Sequence, residues 1–194
     1  MSRYTDLQLD ALRELANIGS GTASTALSSL LGRSVDISVP NAFVLPMAEA
    51  VGTIGDPESE ATGVVLGIVG DMPGSVLLLF TPKDAELMCG LLGVEAGSEF
   101  AVSALMEIGN IVGASYINAL GQMIGMELEP TPPAAATDML AAIVETVLAE
   151  RAAAGDIALL LDSDLVVEGE DCSVSFLLVP DQGGVDQMLE RLGV

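Results

Sequence analysis

The sequence predicts an α+β protein: two pseudo-symmetric repeats sharing one β-sheet, each running helix, strand, crossing segment, β-hairpin, helix. Three observations predict it. First, the octet Asp10-Ala-Leu-Arg-Glu14-Leu-Ala-Asn17 recurs as Ser103-Ala-Leu-Met-Glu107-Ile-Gly-Asn110, an offset of 93. In the same register Ile18 matches Ile111, Ala26-Leu27 match Ala119-Leu120, Gly32 matches Gly125, Asp36 matches Glu129 and Pro40 matches Pro133. A match kept in one register over about 30 residues marks an internal duplication. Second, helical and alternating apolar periodicities follow one another in the same order in both halves. Third, 51% of the residues are hydrophobic and the mean hydropathy is +0.58, enough for a filled core and too much for a disordered chain. The 194 residues read as one domain, 1–194, with repeats over approximately 5–95 and 98–194.

In chain order, residues 5–31 read as a long helix. Thr5 is its N-cap, Leu12, Leu15, Ile18 and Ala23 recur at helical spacing, Gly19-Ser20-Gly21 is a candidate break, and Gly32 is the stop. Residues 34–40 alternate apolar Val35, Ile37 and Val39 with polar Asp36 and Ser38, a half-buried strand closed by Pro40. Residues 43–52 fit a short helical or irregular crossing, and 52–60 a loop rich in Gly, Pro and charge. Strands at 62–70 and 74–81 flank Gly70-Asp71-Met72-Pro73-Gly74, a hairpin turn, and Pro82 opens a helix to 92. The second half repeats the order: a helix at 99–124, a strand at 126–130, and a rigid break at Pro130-Thr-Pro-Pro133. Then Thr137 caps a helix of 138–152, strands follow at 156–166 and 171–179, and Asp181–Leu192 closes the chain as a helix. Six strands therefore result, their order in the sheet left open.

The charge balance excludes several function classes. Net charge is −22, with Lys83 the single lysine and no histidine. Phosphate-bearing partners such as nucleic acid or an anionic membrane are repelled by such a surface. A surplus of carboxylates with almost no Lys also fits a haloarchaeal protein working in high salt, or an acidic surface for a basic partner. Without histidine the commonest general base and metal ligand is missing. Cys89 and Cys172 stand alone on apolar segments with no CxxC, which reads as buried free thiols in a cytoplasmic protein. Residues 108–126 carry no charge for 19 positions, near membrane-span length, yet include Asn110, Ser115, Asn118, Gln122 and four glycines; they read as an amphipathic helix, not a membrane segment.

The duplicated polar residues are the candidate site. At about 100° per residue, positions 10, 14 and 17 fall within roughly 60° on one helix face. Leu12 and Leu15 point elsewhere. Each long helix thus presents a stripe: Asp10, Glu14, Asn17 on one, Ser103, Glu107, Asn110 on the other. A single Glu-x-x-Asn is an ordinary solvated helix face, but drift erases exposed residues without a duty, and here the whole stripe is kept twice. No nucleophile–base pair, phosphate-cradling Gly loop or metal cluster is evident. A carboxylate and a carboxamide can instead act on a partner's reactive centre. The amide donates to and accepts from a water, and the carboxylate clamps a cation. Positioning of water by an amide is a device of phosphoryl transfer.

The pattern [Asp/Ser]-x3-Glu-x2-Asn-x22-Pro, met at Asp10, Glu14, Asn17, Pro40 and at Ser103, Glu107, Asn110, Pro133, resembles the signature of the CheC/CheX/FliY chemotaxis phosphatases. Two copies in a chain of this length look like the CheC branch, since CheX types keep one copy and FliY types add a flagellar-switch domain. The resemblance implies hydrolysis of the aspartyl phosphate on the response regulator CheY. Asn17 and Asn110 would orient the attacking water, and Glu14 and Glu107 would bind the regulator's active-site lysine. The chain would need no cofactor of its own, with Mg²⁺ held by the regulator. Asp10 and Ser103 would support the motif as helix-face or cap residues, and Pro40 and Pro133 would end the strand after each helix. The receptor deamidase CheD is implied as a second partner, with Asp138 at the start of a helix as its candidate contact. Two other readings are a non-catalytic adaptor that sequesters CheD or the regulator, and a structural part of the motor switch.

Overall fold

The computed structural model describes residues 4–150, 157–167 and 170–194. Helix α1 (Asp6–Leu31) starts on a capping box: the Gln8 amide donates to Thr5 Oγ1 at 3.3 Å and the Thr5 amide to Gln8 Oε1 at 2.9 Å. It ends at Gly32 in the left-handed conformation, φ 64°. The Gly19-Ser20-Gly21 stretch does not break it. Its repeat mate α4 (Ala101–Ile124) ends the same way at Gly125, also φ 64°. Between them run β1 (Val35–Pro46), α2 (Met47–Ile54), the hairpin β2 (Glu60–Gly70) and β3 (Gly74–Phe80), and α3 (Pro82–Leu91), capped by Thr81. After α4 come β4 (Leu128–Pro130), β5 (Ala134–Met139), α5 (Leu140–Glu150), the hairpin β6 (Ile157–Val167) and β7 (Glu170–Pro180), and α6 (Gly184–Leu192). The expected helix end at 152, the strand start at 156 and the Glu168-Gly169 turn lie outside the described residues.

Four expectations need correction. Pro40 does not close its strand: β1 continues to Pro46, and its register against β6 shifts between Ser38 and Asn41. A bulge at this point accommodates a residue that has no N–H to give the ladder. The crossing at 43–52 divides between the end of β1 and helix α2. The same step, 93 residues on, explains the second half. The prolines at 130, 132 and 133 split the strand into β4 and β5, and Pro133 leads straight back into β5 rather than ending the run. Thr131 spans the gap, its amide donating to the Gly67 carbonyl at 2.9 Å and its Oγ1 accepting from the Gly67 amide at 2.8 Å. Thr137 therefore caps no helix. It lies in β5 opposite Thr62, the two hydroxyls 2.9 Å apart, and α5 begins three residues later at Leu140.

All strands join one antiparallel sheet in the order β1-β6-β7-β3-β2-β4, with β5 also on β2. The order is unchanged when the halves are exchanged, so a pseudo-twofold axis passes between β3 and β7. The first strand of each half pairs with the hairpin of the other: β1 with β6, β4 and β5 with β2. Alternate residues of the strands face opposite sides. Val64, Leu66, Val76, Leu78 and Phe80 join α1 and α4 in the larger core, while Leu77, Leu79, Leu160 and Leu177 pack with α5 on the reverse face.

Helix α4 lies close against the sheet because it has glycine where the strands press in. A Cβ at Gly109 would sit 2.6 Å from Val64 Cγ1 and 2.9 Å from its Cβ, and Val64 is a fully buried β-branched residue that cannot move aside. Gly21 on α1 has nothing within 4 Å of that position. Opposite effects are expected from the same substitution. Gly109→Ala lowers stability by about 1–3 kcal/mol through overpacking. Gly21→Ala raises it by about 0.5–1 kcal/mol through helix propensity. Urea titrations followed by far-UV circular dichroism read both.

Candidate functional site: two polar stripes on paired helices

The sheet decides which faces of α1 and α4 are free. Leu12, Leu15, Ala16, Gly19, Ser20, Ala23 and Leu27 are buried, and they turn Asp10, Glu14 and Asn17 to solvent. On α4 the buried set includes Ala104, Leu105, Ile108, Val112 and Ile117, leaving Ser103 and Glu107 exposed and Asn110 half-buried. The helices touch through their buried faces, where Ser20 Oγ and the Tyr116 hydroxyl share a hydrogen bond of 2.5 Å. Burial raises the Tyr116 pKa, so this hydroxyl is a neutral structural partner.

Each helix therefore brings its own carboxylate and amide together, about 4.5 Å apart along the axis. Among the described residues no hydrogen bond or ion pair joins one stripe to the other. None engages Glu14, Asn17, Glu107 or Asn110, so their acceptors and donors are available to an outside group. Asp10 has a partner: its carboxylate accepts from Arg13 Nη2 at 2.7 Å, one turn away on the exposed face. The repeat places Ser103 and Met106 at the matching positions, so the second stripe has no such pair. Sequence reasoning passed over Arg13, although an acid followed three residues later by a base is a readable helix pair. At this exposure it adds only about 0.2–1 kcal/mol, so its interest is charge placement at the first stripe.

Asp138 lies elsewhere. It is in β5, opposite Ala61, not at a helix start, and its carboxylate accepts from the Met139 amide at 2.7 Å. With Gly63, Ala135, Ala142 and Thr146 it lines a cavity of about 250 Å³ between α5 and the sheet, on the face opposite α1 and α4. Pro40 and Pro133 are at strand irregularities, as described. Among the described residues no cluster of acids and cysteines could hold a metal ion, and no helix is long and apolar enough to cross a membrane.

Known proteins resemble this chain in the helix–strand units that carry the stripes, and beyond them. The profile of the CheC-like family matches residues 7–44 and again 100–136, one match on each stripe. Each match spans a long helix and runs into the strand after it. The CheY-P phosphatase CheC of Bacillus subtilis is 29% identical over 196 residues, spanning 96% of this chain and 94% of that protein. A putative CheY-P phosphatase, CheC1 of Halobacterium salinarum, is 24% identical over 93% of this chain and 94% of its own length. Among solved structures, Thermotoga maritima FliY superposes with a TM-score of 0.80 at 21% identity, covering 99% of this chain and 98% of that one. The CheX–CheY–BeF3–Mg²⁺ complex of Borrelia burgdorferi gives 0.52 at 16% identity, covering 90% and 99%. The fold of Thermotoga maritima FliY is thus shared along nearly the whole chain.

The two cysteines, Cys89 and Cys172, are free and buried. Burial, followed by the neighbouring Asp84 carboxylate, pushes Cys172 up to about 12, and burial also raises Cys89. From an ordinary thiol value of 9.0 this lowers the thiolate fraction of Cys172 about 10³-fold near neutral pH. Iodoacetamide is expected to label the native protein slowly and the urea-unfolded protein fast. Because the folded thiol keeps its proton to higher pH than the unfolded one, this contribution to stability is complete below pH 9.0 and lost between 9.0 and about 12. Chemical denaturation at stepped pH, compared with Cys172→Ala, reads that loss.

Proposed function

We propose that this protein hydrolyses the aspartyl phosphate of a CheY-type response regulator at both stripes. The observation that carries the reading is the duplicated pair of an exposed Glu and an Asn one turn apart, each without a partner of its own. The Bacillus subtilis relative, named as a CheY-P phosphatase, supports the substrate. In the Borrelia burgdorferi complex a protein of this fold is bound to CheY carrying beryllofluoride and Mg²⁺, which supports docking at the phosphorylated cleft.

In this reading Asn17 or Asn110 holds a water by donating to it and accepting from it, in line with the phosphorus–oxygen bond to the regulator's aspartate. The water oxygen bonds to phosphorus, the aspartyl oxygen leaves with the bonding pair, and the products are a free carboxylate and inorganic phosphate. Glu14 or Glu107 binds the regulator's active-site lysine and fixes the helix in the cleft. Mg²⁺ belongs to the regulator and offsets charge on the phosphoryl oxygens, while this chain contributes placement. Asp10 and Ser103 shape the leading end of each stripe. The receptor deamidase CheD is proposed as a second partner. Asp138 and the cavity beside it, on the face away from the stripes, would let both partners bind at once. The setting proposed is cytoplasmic and halophilic archaeal, supported by the −22 charge and by a Halobacterium relative.

Decay of phosphorylated CheY, followed at high salt with Mg²⁺, tests this. The wild type should speed decay. Asn17→Ala and Asn110→Ala should each remove one site's share, and the double variant should lower the rate about 10²-fold or more, as loss of a positioned hydrogen-bonding group does elsewhere. Folded wild-type protein that leaves the decay unchanged, with or without CheD, would move the assignment to an adaptor.

A further inference from the structure

One apolar feature is duplicated along with the stripes. Leu7 and Phe100 occupy the same place in the two repeats, 93 residues apart, and are 66% and 63% exposed. They exceed every other exposed large hydrophobic among the described residues, the next being Met139 at 51%. Neither belongs to the core clusters or to the side chains packed against them. Leu7 is in the first turn of α1 and Phe100 is the N-cap residue of α4, so both stand at the leading end of their stripe. Continuing the helical wheel, positions 7, 10, 14 and 17 fit an arc of about 80°, with the first about 10 Å before the Glu and about 15 Å before the Asn. Half-exposed Ile18 and half-buried Ile111 adjoin the Asn at the other end of each stripe. A single exposed apolar side chain is ordinary on a protein surface; what sets these two apart is that each repeat has its most exposed large apolar residue at the same position.

We propose that Leu7 and Phe100 are positioning residues: each seats an apolar patch of the phosphorylated regulator at the leading end of its stripe, so that the lysine and phosphoryl group meet Glu and Asn in register. This rests on the reading of the stripes given above. The partner is fixed by continuity, because anything docked on Glu14 and Asn17, or on Glu107 and Asn110, covers the same helix face up to Leu7 or Phe100. The ring of Phe100 buries more surface than Leu7 at little cost in side-chain freedom, so the α4 site is the tighter of the two. The anchors act on encounter and hold, about 10 Å from the carboxylate, and take no part in bond making.

The test uses Leu7→Ser, Phe100→Ser, the double variant and Phe100→Leu in the intact chain, with circular dichroism melts as the folding check. KM and kcat for phosphorylated CheY are measured together with the Kd for CheY carrying beryllofluoride, which needs no hydrolysis. Phe100→Ser should raise KM and Kd about tenfold or more, Leu7→Ser less, the double variant most, and Phe100→Leu should recover most of the loss. The rate at saturation should stay within about twofold, unlike the asparagine variants. Wild-type acceleration with KM and Kd unchanged in the double variant overturns the anchors alone. Binding without acceleration, weakened by Phe100→Ser, upholds the anchors and overturns hydrolysis. Failure of the wild type both to bind and to accelerate overturns both.

Discussion

The structure depends on an exchange of strands between its two halves. β1 is hydrogen-bonded to β6 of the second half, and β4 with β5 to β2 of the first. Neither hairpin has its outer neighbour until the other half is in place, because an edge strand left open exposes unpaired backbone groups. The exchange also places the long helices. Each leads into the strand that crosses to the other half, so both must lie over the centre of the same sheet face, side by side. Their buried faces are then defined by one another and by Val64, Leu66 and Leu78 beneath them, and the remaining face of each helix has only solvent to meet. The polar stripes are outward because the topology leaves no other direction.

Pseudo-symmetry does not make the stripes equal. Tyr116 fills the middle of the helix pair from α4, and the α1 residue facing it is Gly19, where a Cβ would be 2.9 Å from the ring. The glycines of α4 face the sheet instead, at Gly109 over Val64 and Gly113 over Leu66. Helix α4 is consequently the more deeply set, and Asn110 is half-buried where Asn17 is exposed. The difference reaches the surface charge as well: the Arg13–Asp10 pair places a cation at the first stripe, and Ser103 with Met106 leaves the second neutral there.

How much of this the sequence carried follows from what kind of signal each feature leaves. Helix faces, caps and hairpins are local, so α1, α4, Gly32, Gly125 and the turn between β2 and β3 were legible from periodicity and turn residues. The α+β class with one shared sheet was legible because the duplication left the halves in register. What misled was proline. Pro40 and Pro133 read as terminators because proline lacks a ladder donor, but a bulge, or a bonded Thr131, lets a strand pass such a residue and continue. Missing β5, the sequence reading also turned Thr137 into a cap and moved Asp138 onto a helix. The strand exchange left no local trace at all, since the hydrophobic alternation of β1 is satisfied equally by either hairpin. Of the stripes, the helix face was legible. Exposure of Leu7 and Phe100 was not, because an apolar residue at a helix start reads first as core.

The stripes contain too little for a complete enzyme, and that bears on how such a site can work. A carboxylate and an amide one turn apart offer no nucleophile and no metal, and in isolation they are indistinguishable from a solvated helix face. In the function proposed above, they become an active site only when a second protein brings the phosphoryl group, the metal ion and a lysine to them. Such a site costs the chain almost no stability: Glu14, Asn17 and Glu107 are exposed, Asn110 is half-buried, and nothing charged has to be buried in the free protein. It follows that specificity cannot reside in the reacting pair, which any phosphorylated cleft of the right depth could accept. It has to come from the surface around the pair, where the stripes differ in charge, in recess and in the apolar residue at the leading end. A duplicated minimal site set in unequal surroundings can thus meet one substrate at two affinities, or two substrates at one each, without any change in its chemistry.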